Sequence, residues 1–293
     1  MPRYDHARDI PDLSSKVVIV TGANAGIGYH TASELGKHGA KVYLACRTES
    51  KARSAIARIE SDAPSLKGLE HLVWLPLDLS SIRSAKEAAE AFLGSAKRLD
   101  ILINNAGRLV DTYVLTEEGI ELSVAVNHVG HFVFTTALLP LLKETARLPG
   151  ADIRVVYVSS ESYHMANLEK EMALFCKMAR YGTTKLMNIL FTLALHPGNV
   201  TTDTVGRADL TPLLPYSTQG SFMSLFAATS AQIVTQRETF KGQFLMPFGT
   251  IQPLKTKEAR DPALAQTLWK TTETVVQDVL ARQSTSPLEQ TAS

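Results

Sequence analysis

Lys16-Val17-Val18-Ile19-Val20-Thr21-Gly22-Ala23-Asn24-Ala25-Gly26-Ile27-Gly28 is the stretch whose reading decides the fold. Val17 to Val20 is a short β-branched run bounded by a glycine-rich turn, the pattern of a strand buried on both faces. Beyond the turn, Ile27, Thr31, Ala32 and Leu35 recur at helical spacing, so a helix follows. Strand, glycine turn and helix together make an anion cradle. Glycines let the backbone approach a phosphate, and the helix N-terminus offers free N–H groups and the positive end of its dipole. The spacing Gly22, Gly26, Gly28 differs from the commonest dinucleotide fingerprint, G-x-G-x-x-G. Taken alone, the turn also reads as a tight βα connection with no ligand.

The same alternation repeats downstream. Lys41–Ala45 is a second strand, after Gly39 as a helix stop. Glu49–Asp62 is a helix with Ala52, Ala55, Ile56 and Ile59 on one face, and His71–Leu77 a third strand ending at Asp78. A helix over Ser81–Ala96 leads to a fourth strand, Asp100–Ile103, which runs into Asn104-Asn105-Ala106-Gly107. Glu117 to about Leu148 holds one or two helices, and Ile153–Ser159 is a fifth strand. Such alternation implies an α/β fold, a single doubly wound, Rossmann-type parallel sheet with helices on both faces. Ligands of such sheets bind beyond the carboxyl ends of the strands. Five strand ends there carry polar or glycine-containing residues: Gly22–Gly28, Cys46-Arg47, Asp78, Asn104–Gly107 and Ser159-Ser160.

The chain has 293 residues, which suits one large α/β domain or two small ones, and a net charge of +1, which gives no reason to expect nucleic acid or an anionic membrane as partner. Without repeats or a low-complexity linker, one domain is expected: an arm over residues 1–15, a domain over 16–283 and a polar tail over 284–293. Residues 1–15 have no apolar core of a signal peptide, and no run reads as long enough to span a bilayer. Cys46 and Cys176 lack metal-ligand spacing and a disulfide framework, so a reducing, cytoplasmic compartment is expected. His128, His131, His164 and His196 fall on different elements without metal-ligand spacing, and no metal is expected.

With these residues in hand, the chain resembles the short-chain dehydrogenase/reductase family, in its retinol-dehydrogenase-like branch. The resemblance spans about Lys16 to Ala281. Six motifs in order carry it: Thr21–Gly28, Asn104–Gly107, Asn127–Phe132, Ser159-Ser160, Tyr181–Lys185 and His196–Thr202. Tyr181 and Lys185 are four apart and share a helix face. A phenol titrates near ~10, and a neighbouring ammonium lowers that value. The resemblance implies that Tyr181 exchanges a proton with the carbonyl or alcohol oxygen. It makes Lys185 tune Tyr181 and hold the nicotinamide ribose. Ser160 would orient the reacting oxygen, with Ser159 as the alternative, and Asn127 would hold a water that links Lys185 to solvent. Gly22, Asn24, Gly26, Ile27 and Gly28 would cradle the cofactor. Asp78 would meet adenine or cap the next helix, Asn105 and Ala106 would lie along the cofactor, and Thr202 would meet the nicotinamide or phosphates. At the end of the second strand, where NAD-using relatives carry an acid, stand Cys46 and Arg47. Arg47 can pair with a 2′-phosphate, so NADP(H) is preferred. The resemblance thus implies an NADP(H)-dependent oxidoreductase of metabolite biosynthesis acting on a small carbonyl or alcohol substrate; relatives are often dimers or tetramers. A sugar-nucleotide epimerase shares the Tyr-Lys pair, but the serine pair and Asn104–Gly107 argue against it.

One departure stands out. In relatives the helix after Lys185 runs on, turns and feeds a sixth strand that leads into His-Pro-Gly. Here Leu193-Ala194-Leu195-His196-Pro197-Gly198 follows Thr192 at once. Twelve helical residues from Tyr181 travel ~18 Å from the carboxyl edge, and Leu193–His196 return only ~13 Å. Either the helix ends early, the sixth strand is truncated, or the Pro197 segment is displaced. A deletion of this kind leaves open a catalytically impaired, cofactor-binding relative. In the last third, Thr218–Thr235 and Asp261–Arg282 read as helices and Gln243–Met246 as the last strand. Leu210–Tyr216 is expected near the substrate, and Leu213, Leu214 and Phe222 point to a lipophilic one.

Overall fold

The computed structural model describes residues 4–168, 176–195, 201–205, 216–246 and 249–285, with the side chains of 201–205, 216–219 and 284–285 left aside. A single turn, α1 (His6–Asp9), precedes β1 (Val17–Thr21), α2 (Gly26–Lys37), β2 (Lys41–Cys46), α3 (Glu49–Asp62), β3 (Leu72–Pro76), α4 (Ile82–Ser95) and β4 (Ile101–Asn104). Then come α5 (Leu122–Val124), a π-helical turn over Ala125–Val129, α6 (Gly130–Thr145), β5 (Arg154–Val158), a 3₁₀ turn over Glu161–Met165 and α7 (Lys177–Ala194). The chain continues through β6 (Thr201–Val205), α8 (Tyr216–Thr229), α9 (Ala231–Thr235), α10 (Arg237–Phe240), β7 (Phe244–Met246), β8 (Thr250–Ile251) and α11 (Pro262–Thr285).

The strands form one sheet in the order β3-β2-β1-β4-β5-β6-β7-β8, parallel except for the β7–β8 pair. The order reverses between β1 and β4, and that switch opens a crevice at the carboxyl edge. Side chains alternate across the sheet. Ile19, Leu102 and Val155 pack beneath α4, α6 and α11 through Phe92, Phe134, Leu138 and Val279. Val18, Val20, Ile101 and Val156 pack beneath α2, α3 and α8 through Leu35, Ile59 and Leu225. Ile10 and Leu13 join this second layer, so the N-terminal arm is part of the core rather than a free extension.

Two expectations need correction. Leu122–Thr145 is long and apolar enough to cross a membrane, with a mean hydropathy of 1.4, yet 67% of that stretch is buried inside the protein. Its apolarity fills the layer against α4. The sixth strand is not truncated. β6 is a full five-residue strand, paired with β5 from Arg154↔Thr201 to Val158↔Val205. α7 does not end early either; it runs 18 residues to Ala194. The chain builds β6 from residues that follow His196-Pro197-Gly198, whereas the family resemblance implies a strand that precedes that motif. No return to the carboxyl edge is then required before the motif. His196–Gly198 themselves lie outside the described residues, as do Leu213 and Leu214.

Candidate active site

The cavity at the carboxyl edge measures about 470 Å³ and is walled by Gly22, Asn24–Ile27, Arg47, Asp78, Asn105–Arg108, Ser159, Tyr181 and Lys185. These residues come from five strand ends and from α7. Gly22, with a φ of 67°, turns the chain out of β1 in a conformation open to glycine. A Cβ there would stand 3.1 Å from Ala106, so the turn and the Asn105–Gly107 loop sit back to back. The N-cap of α2 is Ala25, which supplies no side-chain acceptor, and the first turn carries no acidic residue. A dinucleotide phosphate fits here, because its oxygens would meet N–H groups that no side chain caps.

At the other rim, Arg47 is exposed and lies 3.7 Å from the Asp78 carboxylate. Asp78 accepts from the Ser80 amide and hydroxyl at 2.9 and 2.6 Å, so it already caps the turn into α4. Burial pushes the Cys46 thiol up to about 11, and its carbonyl accepts from the Trp74 indole at 3.0 Å. β2 itself ends on Cys46 and not on an acid, and the carboxylate at this rim is that of Asp78.

Tyr181 and Lys185 do share a face of α7, with the Lys185 ammonium 5.4 Å from the Tyr181 ring centre. Lys185 is buried and donates to the Val158 carbonyl at 2.8 Å, which ties α7 to the end of β5. The two serines divide their work. Ser159 is buried and donates its proton to the Lys185 carbonyl at 2.9 Å. Ser160 is half-buried and accepts from the Ser162 amide at 3.2 Å, capping the 3₁₀ turn. A hydroxyl that only accepts still has its proton to donate. Ser160 keeps a proton to donate while Ser159 has spent its own, although of the two it is Ser159 that lines the cavity.

Asn127 sits in the π-helical turn, fully buried. Its Oδ1 accepts from the Arg108 amide at 2.7 Å, and its Nδ2 donates to the Arg108 carbonyl and the Thr184 hydroxyl, both at 2.9 Å. Its carbonyl accepts from the Asn188 amide at 2.7 Å in the orientation that satisfies both ends of Asn188. His131 Nδ1 lies 3.3 Å from that same oxygen. Asn127 therefore staples the Asn105–Arg108 loop to α7, and only a spare lone pair of Oδ1 is left for the water it was expected to hold. Thr202 is also placed otherwise than expected. It pairs with Val155, three residues short of the carboxyl end of β6. At ~3.3 Å per residue it stands ~10 Å back from the edge that would face a nicotinamide. Phe222 stacks on His6 at 4.6 Å, within the arm.

Three contributors escaped the sequence reading. Thr21 ends β1, and its hydroxyl accepts from the amides of Asn105 and Ala106; its place before the first glycine was the available signal. Arg180 is buried beside Tyr181, donates to the carbonyls of Val110 and Asp111 at 3.0 and 2.9 Å, and faces Glu121 at 3.8 Å. Nothing in the sequence marks it as buried. Arg108 lines the cavity directly after the Asn104–Gly107 motif.

The profile of the short chain dehydrogenase family matches residues 16–204. A short chain dehydrogenase/reductase of Colletotrichum higginsianum, dpchH, is 41% identical over 91% of this chain and 76% of its own. Retinol dehydrogenase 12 of Mus musculus is 34% identical over 88% of this chain and 85% of its own. Among solved structures, an uncharacterised protein from Mycobacterium Paratuberculosis superposes with a TM-score of 0.73 at 27% identity, over 94% of this chain and 98% of that one. The Colletotrichum alignment spans 309 positions yet draws on 91% of 293 residues, so about forty positions are filled by that relative alone. This chain is shorter within the matched region.

Proposed function

Because the chain belongs to the short-chain dehydrogenase/reductase family, we propose that it is an NADP(H)-dependent oxidoreductase acting on a carbonyl or hydroxyl carbon of a small metabolite. The observation that carries the reading is Tyr181 and Lys185 on one face of α7, opening into the cavity that the glycine turn and the α2 N-terminus also wall. When bound, the nicotinamide supplies or accepts the hydride. Tyr181 gives its phenolic proton to the carbonyl oxygen in reduction and takes it back in oxidation. Lys185, held by the Val158 carbonyl, keeps an ammonium beside that phenol. Ser160 donates its free hydroxyl proton to the same oxygen and orients it. The preference for NADP(H) rests on Arg47, exposed just after β2, a strand that ends on Cys46 rather than an acid, with Asp78 of the next strand end 3.7 Å away. The two thiols are free, which agrees with a reducing, cytoplasmic compartment. The lipophilic character expected of the substrate has lost a support, since Phe222 packs on the N-terminal arm.

The test is oxidation of NADPH over a panel of ketones and aldehydes, followed by the absorbance of the reduced ring. Tyr181→Phe is expected to lower turnover by ~10²–10⁴ while NADPH still quenches tryptophan fluorescence, for which Trp74 beside Cys46 is the reporter. Equal rates in both proteins would remove Tyr181 from the mechanism. A second reading, a cofactor-binding relative without turnover, is favoured by one observation: the positions missing relative to the Colletotrichum protein. Quenching without oxidation over the whole panel would support it.

A further inference from the structure

We propose that Arg108 anchors a carboxylate of the substrate, so that the site prefers carbonyl compounds bearing an acid group over their neutral counterparts. This rests on the oxidoreductase reading above. Arg108 is exposed and walls the same cavity as Tyr181 and Lys185. Among the described residues its guanidinium has no ion-pair or hydrogen-bond partner. The nearby carboxylates are engaged elsewhere, Asp111 with Lys177 at 2.5 Å and Glu121 with Arg180 at 3.8 Å.

An exposed arginine is ordinary; the mounting of this one is not. Its own N–H and C=O are both held by the Asn127 side chain, which Thr184 of α7 holds in turn. Two and three residues on, the carbonyls of Val110 and Asp111 are held by Arg180, the neighbour of Tyr181. The Cα of Arg108 is thus fixed with respect to the helix that carries the proposed acid and its lysine. A Cβ on Gly107 would stand 3.3 Å from Lys185 Nζ, so residue 108 departs from the lysine end of the cavity. The glycine turn, where phosphates fit, adjoins the same loop through Ala106, so a substrate carboxylate has to be told apart from the nucleotide diphosphate. A planar guanidinium matches a carboxylate with two parallel hydrogen bonds. The loop goes on with Leu109, Tyr113 and Val114, all exposed, which suits an organic acid with an apolar body.

An anion at Arg108 has two sources, a substrate carboxylate or the diphosphate of the nucleotide, and steady-state kinetics separate them. Phenylglyoxylate and 4-oxo-4-phenylbutanoate are each compared with their methyl esters under NADPH. The wild type is expected to favour the acids in kcat/KM. Arg108→Gln should reduce the acid-to-ester ratio by about ten- to a hundredfold, the loss of charge-assisted hydrogen bonds, and Arg108→Lys should restore part of it. A ratio near one in the wild type, or a ratio unmoved by Arg108→Gln, overturns the proposal. An unmoved ratio with a raised KM for NADPH assigns the guanidinium to the nucleotide instead. Benzoate is also titrated into the NADP⁺-loaded protein, read by tryptophan fluorescence, which needs no turnover. Benzoate binding that Arg108→Gln weakens tenfold, without reduction of any of the four compounds, upholds Arg108 and sinks the oxidoreductase reading. Reduction of the esters with no Arg108-dependent benzoate binding does the reverse.

Discussion

The hydroxyl of Thr21 accepts from the amides of Asn105 and Ala106 at 3.0 and 2.9 Å and faces His131 Nε2 at 2.9 Å. His131 Nδ1 lies 3.3 Å from the Asn127 carbonyl, so the ring proton belongs on Nδ1 and Nε2 accepts from Thr21. One hydroxyl thereby joins β1, the Asn105–Arg108 loop and the Asn127 turn. Thr21→Val keeps the shape and strips the part-buried Ala106 amide of its acceptor, whereas the Asn105 amide also donates to the Ile103 carbonyl at 3.0 Å. It should cost ~1–3 kcal/mol for the one donor left unsatisfied, read as a lower denaturation midpoint in urea, with Thr21→Ser close to wild type. Arg47 makes a second prediction. Arg47→Asp should shift the cofactor preference in kcat/KM from NADPH toward NADH, and a variant still favouring NADPH would refute the role given to Arg47. Residues of this kind differ in legibility. Tyr181, Lys185 and Gly22–Gly28 could be read from spacing because helix and turn geometry alone bring them together. Arg108, Arg180 and the Thr21–His131 contact depend on which loops meet across the sheet, and periodicity carries no record of that.

Among the elements, α7 and the 3₁₀ turn over Glu161–Met165 meet through a missing side chain. A Cβ on Gly182 would collide with the Ser162 carbonyl oxygen. The turn is held from its far side as well, since Tyr163 accepts from the Lys255 amide at 2.6 Å and Glu161 pairs with Lys255 at 2.8 Å. It cannot retreat without breaking those contacts. Gly182→Ala should therefore cost ~1–3 kcal/mol by overpacking and displace Ser160, which caps the turn. The expected result is a lower melting temperature together with a fall in kcat, while NADPH binding persists. The strands and helices through β5 were legible because their apolar runs are short, β-branched and bounded by turns. β6 was not, because Thr201-Thr202-Asp203-Thr204-Val205 lacks an apolar run. Its β-branched residues carry strand preference without the hydrophobicity that would have flagged it.

At the scale of the whole molecule, stability should depend on pH through two imidazoles. Burial lowers His128 to about 4, and burial, outweighing the bond to the Asn127 carbonyl, lowers His131 to about 3. Both are neutral in the folded protein at neutral pH, whereas in the unfolded chain they protonate near ~6.5. Between those values the unfolded state binds more protons, so stability falls as pH drops below about 6.5 and levels only near the folded values. The loss amounts to a few kcal/mol per imidazole, at ~1.4 kcal/mol per unit of displacement. Urea midpoints should be steady above pH 7 and fall steeply toward pH 5, and a midpoint unchanged over that span would contradict the burial of these rings. His128 Nε2 donates to the Thr272 hydroxyl of α11 at 2.8 Å, since that hydroxyl's own proton goes to the Leu268 carbonyl, and protonation would fall on the buried Nδ1.

The tucked N-terminal segment bears on how the protein should be handled. Tyr4 meets Phe226 edge-on at 5.3 Å and bonds Thr229 at 2.9 Å, which moors the leading residues to α8. That helix in turn lies against α2, with Gly220 close beside Ile27 of the phosphate cradle. An expression design that trims the chain back to Ser14 discards this mooring together with Ile10 and Leu13. The product would be a less soluble protein with a slackened nucleotide grip, so purification handles belong ahead of an intact leader or at the opposite terminus.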